Sequence, residues 1–277
     1  MIDIKKIVLI LFCCINLYSS ERIVTLTPSI NEIVYALGVG KDVVANTRYC
    51  DFPEESQKVK KVGGYASISL EKILLANPSV VIAQNYDEKL LSNLKNLNIK
   101  TLTFKTDSIK DINNTIFSLG NYFDKQQKAK ELISNINNSL TSLKSIVKNK
   151  KILIVISPKK TLSNQIYVSG NYLYFEDIIK ASGNVNAFQS KSKAQPVVNT
   201  EKIIKMNPDV IILLAPFFEG KTKELEKVKK LWLGLPINAA KNKNVYAVDK
   251  LYAGIPSQRV VYFIQDFKKI LENVRDK

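Results

Sequence analysis

The sequence contains no histidine. This absence excludes Ser-His-Asp and Cys-His hydrolases, zinc sites built on imidazole, and acid–base catalysis by imidazole. The phosphate-binding patterns GxGxxG and GxxxxGK[ST] are missing as well. A secreted hydrolase that uses Ser169 is the remaining enzymatic alternative, but this serine has neither a preceding glycine nor a base to activate it. We therefore expect that the chain is not an enzyme and carries no cofactor of its own.

Cysteine is scarce, and two of the three cysteines lie close to the N-terminus. Lys5 and Lys6 precede an apolar run over residues 7–17, which is too short to span a bilayer. This pattern predicts a cleaved signal peptide over residues 1–20 and export to the periplasm. A lipid anchor is the less favoured alternative, because Phe12 occupies a position where a lipidation motif needs a small residue. Cys50 is then the one remaining thiol, so an intramolecular disulfide is excluded.

Arginine is also scarce in this basic chain, which has a net charge of +16. The lysines are scattered along helical faces rather than grouped beside aromatic residues, so the charge predicts a solvated surface and not a nucleic-acid site. A guanidinium binds carboxylates or phosphates through two parallel hydrogen bonds, which an ammonium group cannot do. Arg48 and Arg259 lie in predicted loops, and we expect them to contact an anionic group, although two chance surface arginines would give the same pattern.

A segment of twelve residues occurs twice, with a spacing of 130 positions. Residues 71–82 read EKILLANPSVVI and residues 201–212 read EKIIKMNPDVII, so seven of the twelve positions are identical. Each copy predicts a short helix that ends before a proline and continues into a buried, β-branched strand of a parallel sheet. A repeat of such a unit at long period predicts two similar lobes with a ligand cleft between them. Glu71 and Glu201 open the two copies, where a carboxylate also favours the start of a helix.

The stretch between the repeats predicts one long helix. Residues 124–148 contain neither proline nor glycine and have apolar residues at helical spacing, which corresponds to about 37 Å of helix. We predict an N-terminal lobe over residues 21–123, a connecting helix over residues 124–150 and a C-terminal lobe over residues 151–277. A long surface helix on a single domain is the alternative.

Several motifs together resemble the helical-backbone (class III) periplasmic binding proteins that serve ABC importers of cobalamin, haem and ferric siderophores. They extend over nearly the whole chain after residue 20, and the loop over residues 49–53 is most similar to the cobalamin branch. The motifs are Thr27-Pro28-Ser29, Tyr49-Cys50-Asp51-Phe52-Pro53, Val62-Gly63-Gly64-Tyr65, the two repeats, Tyr167-Val168-Ser169-Gly170, Trp232 before Ala239-Ala240-Lys241, and Ile255-Pro256-Ser257-Gln258-Arg259.

The resemblance implies two Rossmann-like α/β lobes with central parallel sheets, joined by one long α-helix, and a monomer that binds a metal chelate in the cleft. It also implies that Glu71 and Glu201 dock onto the dimeric permease of an ABC importer at the inner membrane. Aromatic residues line the cleft in the cobalamin branch, whereas Gln195 replaces one such residue here. The implied ligand contacts in this sequence are Tyr49, Tyr65, Tyr167 and Tyr252, with Arg48, Asp249 and Arg259 as polar contacts.

A corrinoid is the preferred ligand, since its cobalt needs no protein side chain. Haem is the first alternative, with Tyr65 or Tyr252 as an axial ligand to ferric iron and with Arg48 and Arg259 facing its propionates. A ferric siderophore is the second alternative, because an anionic chelate would also suit a basic cleft. A zinc- or manganese-binding protein of related fold is disfavoured by the missing histidines.

Overall fold

The computed structural model describes residues 21–64, 67–85, 87–162 and 164–276. The predicted signal peptide and Tyr65 lie outside these ranges. Strands and helices alternate along the chain, as the sequence predicts for an α/β protein. The strands are β1 (Ile23–Thr25), β2 (Val43–Asn46), β3 (Lys60–Lys61), β4 (Gly63–Gly64), β5 (Ser67–Ile68), β6 (Val80–Gln84), β7 (Thr101–Phe104), β8 (Lys151–Ile156), β9 (Ile166–Val168), β10 (Val185–Asn186), β11 (Val197–Val198), β12 (Val210–Leu214) and β13 (Val245–Val248). The helices are α1 (Pro28–Ala36), α2 (Glu54–Gln57), α3 (Leu70–Leu75), α4 (Glu88–Asn96), α5 (Ile109–Tyr122), α6 (Gln126–Thr141), α7 (Tyr174–Ala181), α8 (Thr200–Met206), α9 (Thr222–Leu233), α10 (Asn238–Lys241) and α11 (Val260–Arg275).

The first sheet is parallel, with the strand order β3-β2-β1-β6-β7. Its central strands are buried on both faces, and the paired residues Val24 and Val81 are both inaccessible to solvent. This double burial explains why the sequence shows continuous apolar runs instead of alternation. Beside the sheet, β4 and β5 form a small antiparallel hairpin. Gly63 is required there, because a Cβ on this residue would lie 2.1 Å from the carbonyl oxygen of Ser67.

The second sheet has the order β11-β9-β8-β12-β13, with β10 also paired to β8. Its centre is parallel, as predicted, but β9 runs antiparallel to both β8 and β11. The sequence around β9 indicates this strand only weakly. Ile166 and Val168 are buried while Tyr167 is exposed, so the alternation of a half-buried strand is present but spans only three residues.

The two repeats fold alike. Helix α3 leads to β6, and α8 leads to β12. The side chain of Ser69 accepts a hydrogen bond from the amide of Lys72 at 3.2 Å, and the side chain of Asn199 accepts one from Lys202 at 2.8 Å. Each helix therefore has an N-cap one residue before its first turn, and the repeated supersecondary unit predicted from the sequence is confirmed.

The connecting helix is shorter than predicted. Helix α6 has 16 residues, or about 24 Å, and not the 25 residues expected from the sequence. It begins after Asp124, whose left-handed φ of 54° separates it from α5, and Ser145 has a φ of 67° beyond its end. Its last turns contain serine, threonine and asparagine, whose side chains compete for backbone hydrogen bonds and weaken a helix.

One hydrophobic core continues from the first sheet to the second. Its buried members include Ile82 in β6, Ile136 in α6, Ile154 in β8 and Phe263 in α11. Helix α6 packs against both α5 and α11. The sheets are thus joined by packed helices, which restricts their relative movement. Among the described residues, a helix with the length and apolar character needed to cross a bilayer is absent.

Candidate ligand-binding cleft

A cavity of about 410 Å³ lies between the two sheets. On one side it is lined by residues 27–29 after β1, by Tyr49 after β2 and by Gln84 at the end of β6. On the other side it is lined by residues 254–256, which follow β13. Both walls come from the carboxyl ends of parallel strands, where ligands bind in open α/β sheets.

A second cavity of about 560 Å³ lies further along the same junction. The loop after β7 and the start of α5 form one wall, through Lys105, Asp107, Ser108 and Asp111. Residues 170–173, Asp177 and residues 192–196 form the other wall. The two cavities lie one after the other along the junction between the sheets, so together they outline a groove between the lobes. We call this groove the cleft.

The second cavity contains charges of both signs. Lys105 and Lys193 line it together with Asp111 and Asp177. One oxygen of Asp177 accepts a hydrogen bond from the amide of Ile109 at 2.8 Å, which links α7 to the start of α5. Partial burial raises the pKa of Asp177, and this hydrogen bond opposes the effect. The cavity therefore offers donors and acceptors rather than a field of one sign.

Exposed aromatic side chains follow strands of both sheets. Tyr49 is 57% exposed and follows β2, whereas Phe217 is 72% exposed in a turn directly after β12. Tyr172 lines the second cavity, and its hydroxyl donates to the carbonyl of Lys191 at 2.9 Å. Large exposed rings at a groove supply binding area for a flat apolar ligand. Sequence reasoning missed Phe217 and Tyr172, although a Pro-Phe-Phe segment after a buried strand marks the first of them.

The tyrosines predicted as ligand contacts do not all lie at the cavities. Tyr49 lines the first cavity. Tyr167 pairs with Ile156, the last residue of β8, and is exposed at that end of the sheet. Tyr252 is half-buried, and its hydroxyl donates to a carboxylate oxygen of Asp266 at 2.6 Å. Burial and this acceptor raise the pKa of the Tyr252 phenol. The structure thus ties Tyr252 to α11 and does not bring it to either cavity.

The predicted polar contacts are also separated. Arg48 is exposed and lies close to Tyr49 beside Gly64, where a Cβ would be 3.7 Å from its guanidinium and 3.5 Å from the tyrosine ring. Asp249 is half-buried directly after β13. Gln195 lines the second cavity and donates to the carbonyl of Val168 at 2.9 Å. Arg48 is therefore the predicted cation that accompanies an aromatic residue of the first cavity.

Arg259 makes a different contact from the one expected. Its guanidinium forms a bidentate ion pair with Glu32, whose side chain is 1% exposed. Ser29 and Glu32 have the spacing of a capping box, but they do not form one. Helix α1 starts after Thr27, without a side-chain cap, and the carboxylate of Glu32 points to the other lobe instead. The scarcity of arginine in this lysine-rich chain singles out Arg259 but does not indicate its partner.

Glu71 and Glu201 are both exposed in the first turn of their helices. Each of these helices leads to the amino end of a parallel strand, so its own first turn lies toward the carboxyl edge of the sheet. The two carboxylates are therefore exposed one on each lobe, and neither residue lines the two cavities. This placement separates them from the hydrophobic core.

Comparison with known proteins gives consistent matches. Residues 23–252 match the family model described as periplasmic binding protein. A vitamin B12-binding protein of Vibrio parahaemolyticus is 25% identical over 262 residues, which cover 93% of this chain and 91% of that protein. The uncharacterized ABC transporter substrate-binding lipoprotein YvrC of Bacillus subtilis is 30% identical over 241 residues, which cover 83% of this chain and 73% of that protein.

A solved structure shares the fold. The periplasmic haem-binding protein HutB of Vibrio cholerae superposes with a TM-score of 0.75 at 20% identity, covering 91% of this chain and 99% of that one. The superposition confirms the predicted two-lobed α/β architecture. At this level of identity the fold is shared, whereas the ligand has to be inferred from the cleft.

Proposed function

Because the chain belongs to the periplasmic binding protein family, which supplies substrate-binding proteins to ABC importers, we propose that it captures a corrinoid of the cobalamin class in its cleft. Family membership places the protein outside the cytoplasm and confirms the prediction that it is not an enzyme. Within our proposal, the protein is a monomer in the periplasm, exported by the predicted signal peptide over residues 1–20. The lipid-anchored form is the alternative.

The observation that carries the proposal is the first cavity between the two lobes, where one exposed aromatic ring, Tyr49, accompanies apolar and neutral polar groups. Tyr49 presents an exposed ring there, Gln84 and Ser29 add hydrogen-bonding groups, and residues 254–256 close the opposite wall. A corrin ring needs a flat apolar surface, and the amide groups at its edge need neutral donors and acceptors. The similarity to vitamin B12-binding proteins supports the same ligand class.

Haem is the second candidate, favoured by the shared fold of HutB and by the exposed Arg48. Two of the groups that haem would use are engaged elsewhere. Arg259 is paired with Glu32, and the hydroxyl of Tyr252 donates to Asp266. A propionate or a ferric iron would have to displace these contacts, whereas a corrinoid has no free propionate and its cobalt needs no protein side chain. These two contacts are the reason for placing corrinoid before haem.

The permease contact is part of the proposal. Glu71 and Glu201 would each meet an arginine of one permease subunit, since their carboxylates are exposed on separate lobes. Two solvent-exposed ion pairs would determine the orientation in which the protein docks more than the strength of its binding to the permease.

Titration of the purified protein with cyanocobalamin and, separately, with haemin tests the ligand. We expect saturable binding of cyanocobalamin, followed by calorimetry, and weaker binding in Tyr49→Ala. A tyrosine-to-iron charge-transfer band with haemin that is lost in Tyr65→Phe would transfer the proposal to haem. Binding of neither compound would refute both candidates and leave the ferric siderophore as the class to examine.

A further inference from the structure

An ion pair joins the two lobes directly beside the cleft. The Nε atom of Arg259 donates to Oε2 of Glu32 at 2.9 Å, and its terminal nitrogen donates to the other carboxylate oxygen. The hydroxyl of Ser257 donates to the same carboxylate. Glu32 belongs to α1 of the first lobe, whereas its partners lie 225 and 227 positions later. The side chains of Glu32 and Arg259 are only 1% and 11% exposed, so solvent screens this pair weakly.

Both ends of the pair are attached to the walls of the first cavity. Ser257 directly follows residues 254–256, which form one wall. Ser29 lines the opposite wall, and Glu32 lies one helical turn after it on the same face of α1. A change in the position of Glu32 relative to Ser257 would therefore change the separation of the walls.

A third connection holds the loop that carries Tyr49. The guanidinium of Arg259 lies 3.8 Å from the centre of the Phe52 ring. The carbonyl of Phe52 accepts a hydrogen bond from the side chain of Asn31 at 3.1 Å. Phe52 follows Tyr49 by three residues, so the cation–π contact and the ion pair together orient the aromatic wall of the cavity.

We propose that Glu32 and Arg259 are positioning residues that clamp the two lobes and set the width of the ligand cleft. Neither side chain lines the first cavity, so the pair would act on the ligand through the position of the walls. This inference concerns the same site as the proposed function, but the clamp itself can be measured without ligand. A guanidinium is needed because its planar fork satisfies both carboxylate oxygens and still presents a face to Phe52.

The test measures the distance between the lobes and the escape of ligand in the same variants. Spin labels on Lys89→Cys and Lys227→Cys, which replace exposed lysines of α4 and α9, report the interlobe distance by electron double resonance. Glu32→Gln and Arg259→Lys are the test variants. Arg275→Lys is the matched control, since its exposed pair with Asp276 lies at the end of α11.

We expect a broader distance distribution in both test variants and dissociation of cyanocobalamin that is about 2- to 30-fold faster, with the control unchanged. Arg259→Lys should be the milder variant, because it keeps the charge. Unchanged distances and dissociation rates, with a lower melting temperature, would show a purely structural pair and overturn the proposal. If the parent protein binds no cyanocobalamin, the proposed function fails, while the distance distributions still decide on the clamp.

Discussion

Asn77 and Asn207 lie 130 positions apart and share the same left-handed backbone conformation, each with a φ of 45°. Each ends a repeated helix and precedes a proline. The proline disfavours the right-handed helical conformation at these positions, and asparagine tolerates the left-handed one better than most residues do. The chain thus turns from the helix to the central strand through the same Asn-Pro conformation in both lobes.

Replacing these asparagines by alanine should have unequal effects. Asn77→Ala introduces a side chain that disfavours positive φ and should lower the free energy of unfolding by about 1 kcal/mol. Asn207→Ala should cost about 2 kcal/mol or more, because the side-chain oxygen of Asn207 also accepts a hydrogen bond from the amide of Asn238 at 2.7 Å. Urea unfolding followed by circular dichroism measures both values. Equal losses would contradict a role for this additional hydrogen bond.

Much of the fold was predictable from the sequence because its signals are local. The repeats contain a helix start, a proline stop and an apolar strand within twelve residues, and the structure confirms each of these features. The length of α6 was not predictable from the absence of proline and glycine alone. A run of serine, threonine and asparagine ends that helix without either residue.

The candidate cleft was less predictable, because its contacts join residues that are distant in the sequence. Tyr49 was assigned correctly to a loop, and the structure brings it to a cavity. The pairing of Arg259 with Glu32 links positions that are 227 residues apart, and neither residue carries a local signal for it. The predicted domain boundaries and the role of Tyr65 remain predictions.

Tyr49→Ala should weaken ligand binding without affecting folding. Its ring is more than half exposed, so its removal leaves the core intact. Loss of one aromatic contact should reduce the binding free energy of cyanocobalamin by about 1–3 kcal/mol. Tyr262→Ala is the control, because this similarly exposed tyrosine lies on α11 and contacts Tyr252 rather than the first cavity. Calorimetric titration of both variants measures the difference, and equal affinities would contradict the assignment.

Glu71→Gln and Glu201→Gln should separate docking from ligand binding. Both carboxylates are exposed at helix starts, so each change should alter the free energy of unfolding by less than about 1 kcal/mol. Ligand affinity should stay the same, whereas binding to the cognate permease in nanodiscs should weaken and lose part of its salt dependence. Glu131→Gln on α6 is the control, since its exposed carboxylate pairs with Lys128. An unchanged association with the permease would remove the docking role.

The stability of the protein should depend on pH through Asp177. Burial raises its pKa in the folded state above the ordinary value of 3.8, so the folded protein binds the proton more tightly than the unfolded chain. The resulting stabilisation is complete below pH 3.8 and is lost as the pH rises through the folded pKa. Asp177→Asn should remove this pH dependence, because an amide group does not titrate in this range. The amide oxygen can still accept the hydrogen bond from Ile109, so the local structure is kept. Thermal unfolding across this range compares the two proteins.

Asp276→Asn should change the pH dependence in the opposite direction. The guanidinium of Arg275 holds the pKa of Asp276 below its ordinary value, so its contribution is present above pH 3.8 and is lost as the pH falls. Because Asp276 is exposed, its effect should be the smaller of the two. The same sign of change in both variants would contradict the assignment of burial as the dominant cause at Asp177.

Gly120→Ala should destabilise the junction between α5 and α6. A Cβ on Gly120 would lie 2.4 Å from the Cβ of Ala129, a separation that two carbon atoms cannot adopt. The helices must therefore move apart, and overpacking of this kind should cost about 1–3 kcal/mol of unfolding free energy. Gly254→Ala is the control, because no heavy atom of the described residues lies within 4 Å of the Cβ that this change would add. The fluorescence of Trp232, buried in the second lobe, reports on unfolding during urea titration. Helix α6 belongs to the core shared by both lobes. The urea midpoint reported by Trp232 should therefore fall in Gly120→Ala, although the change lies in the first lobe. An unchanged midpoint would mean that the lobes unfold independently.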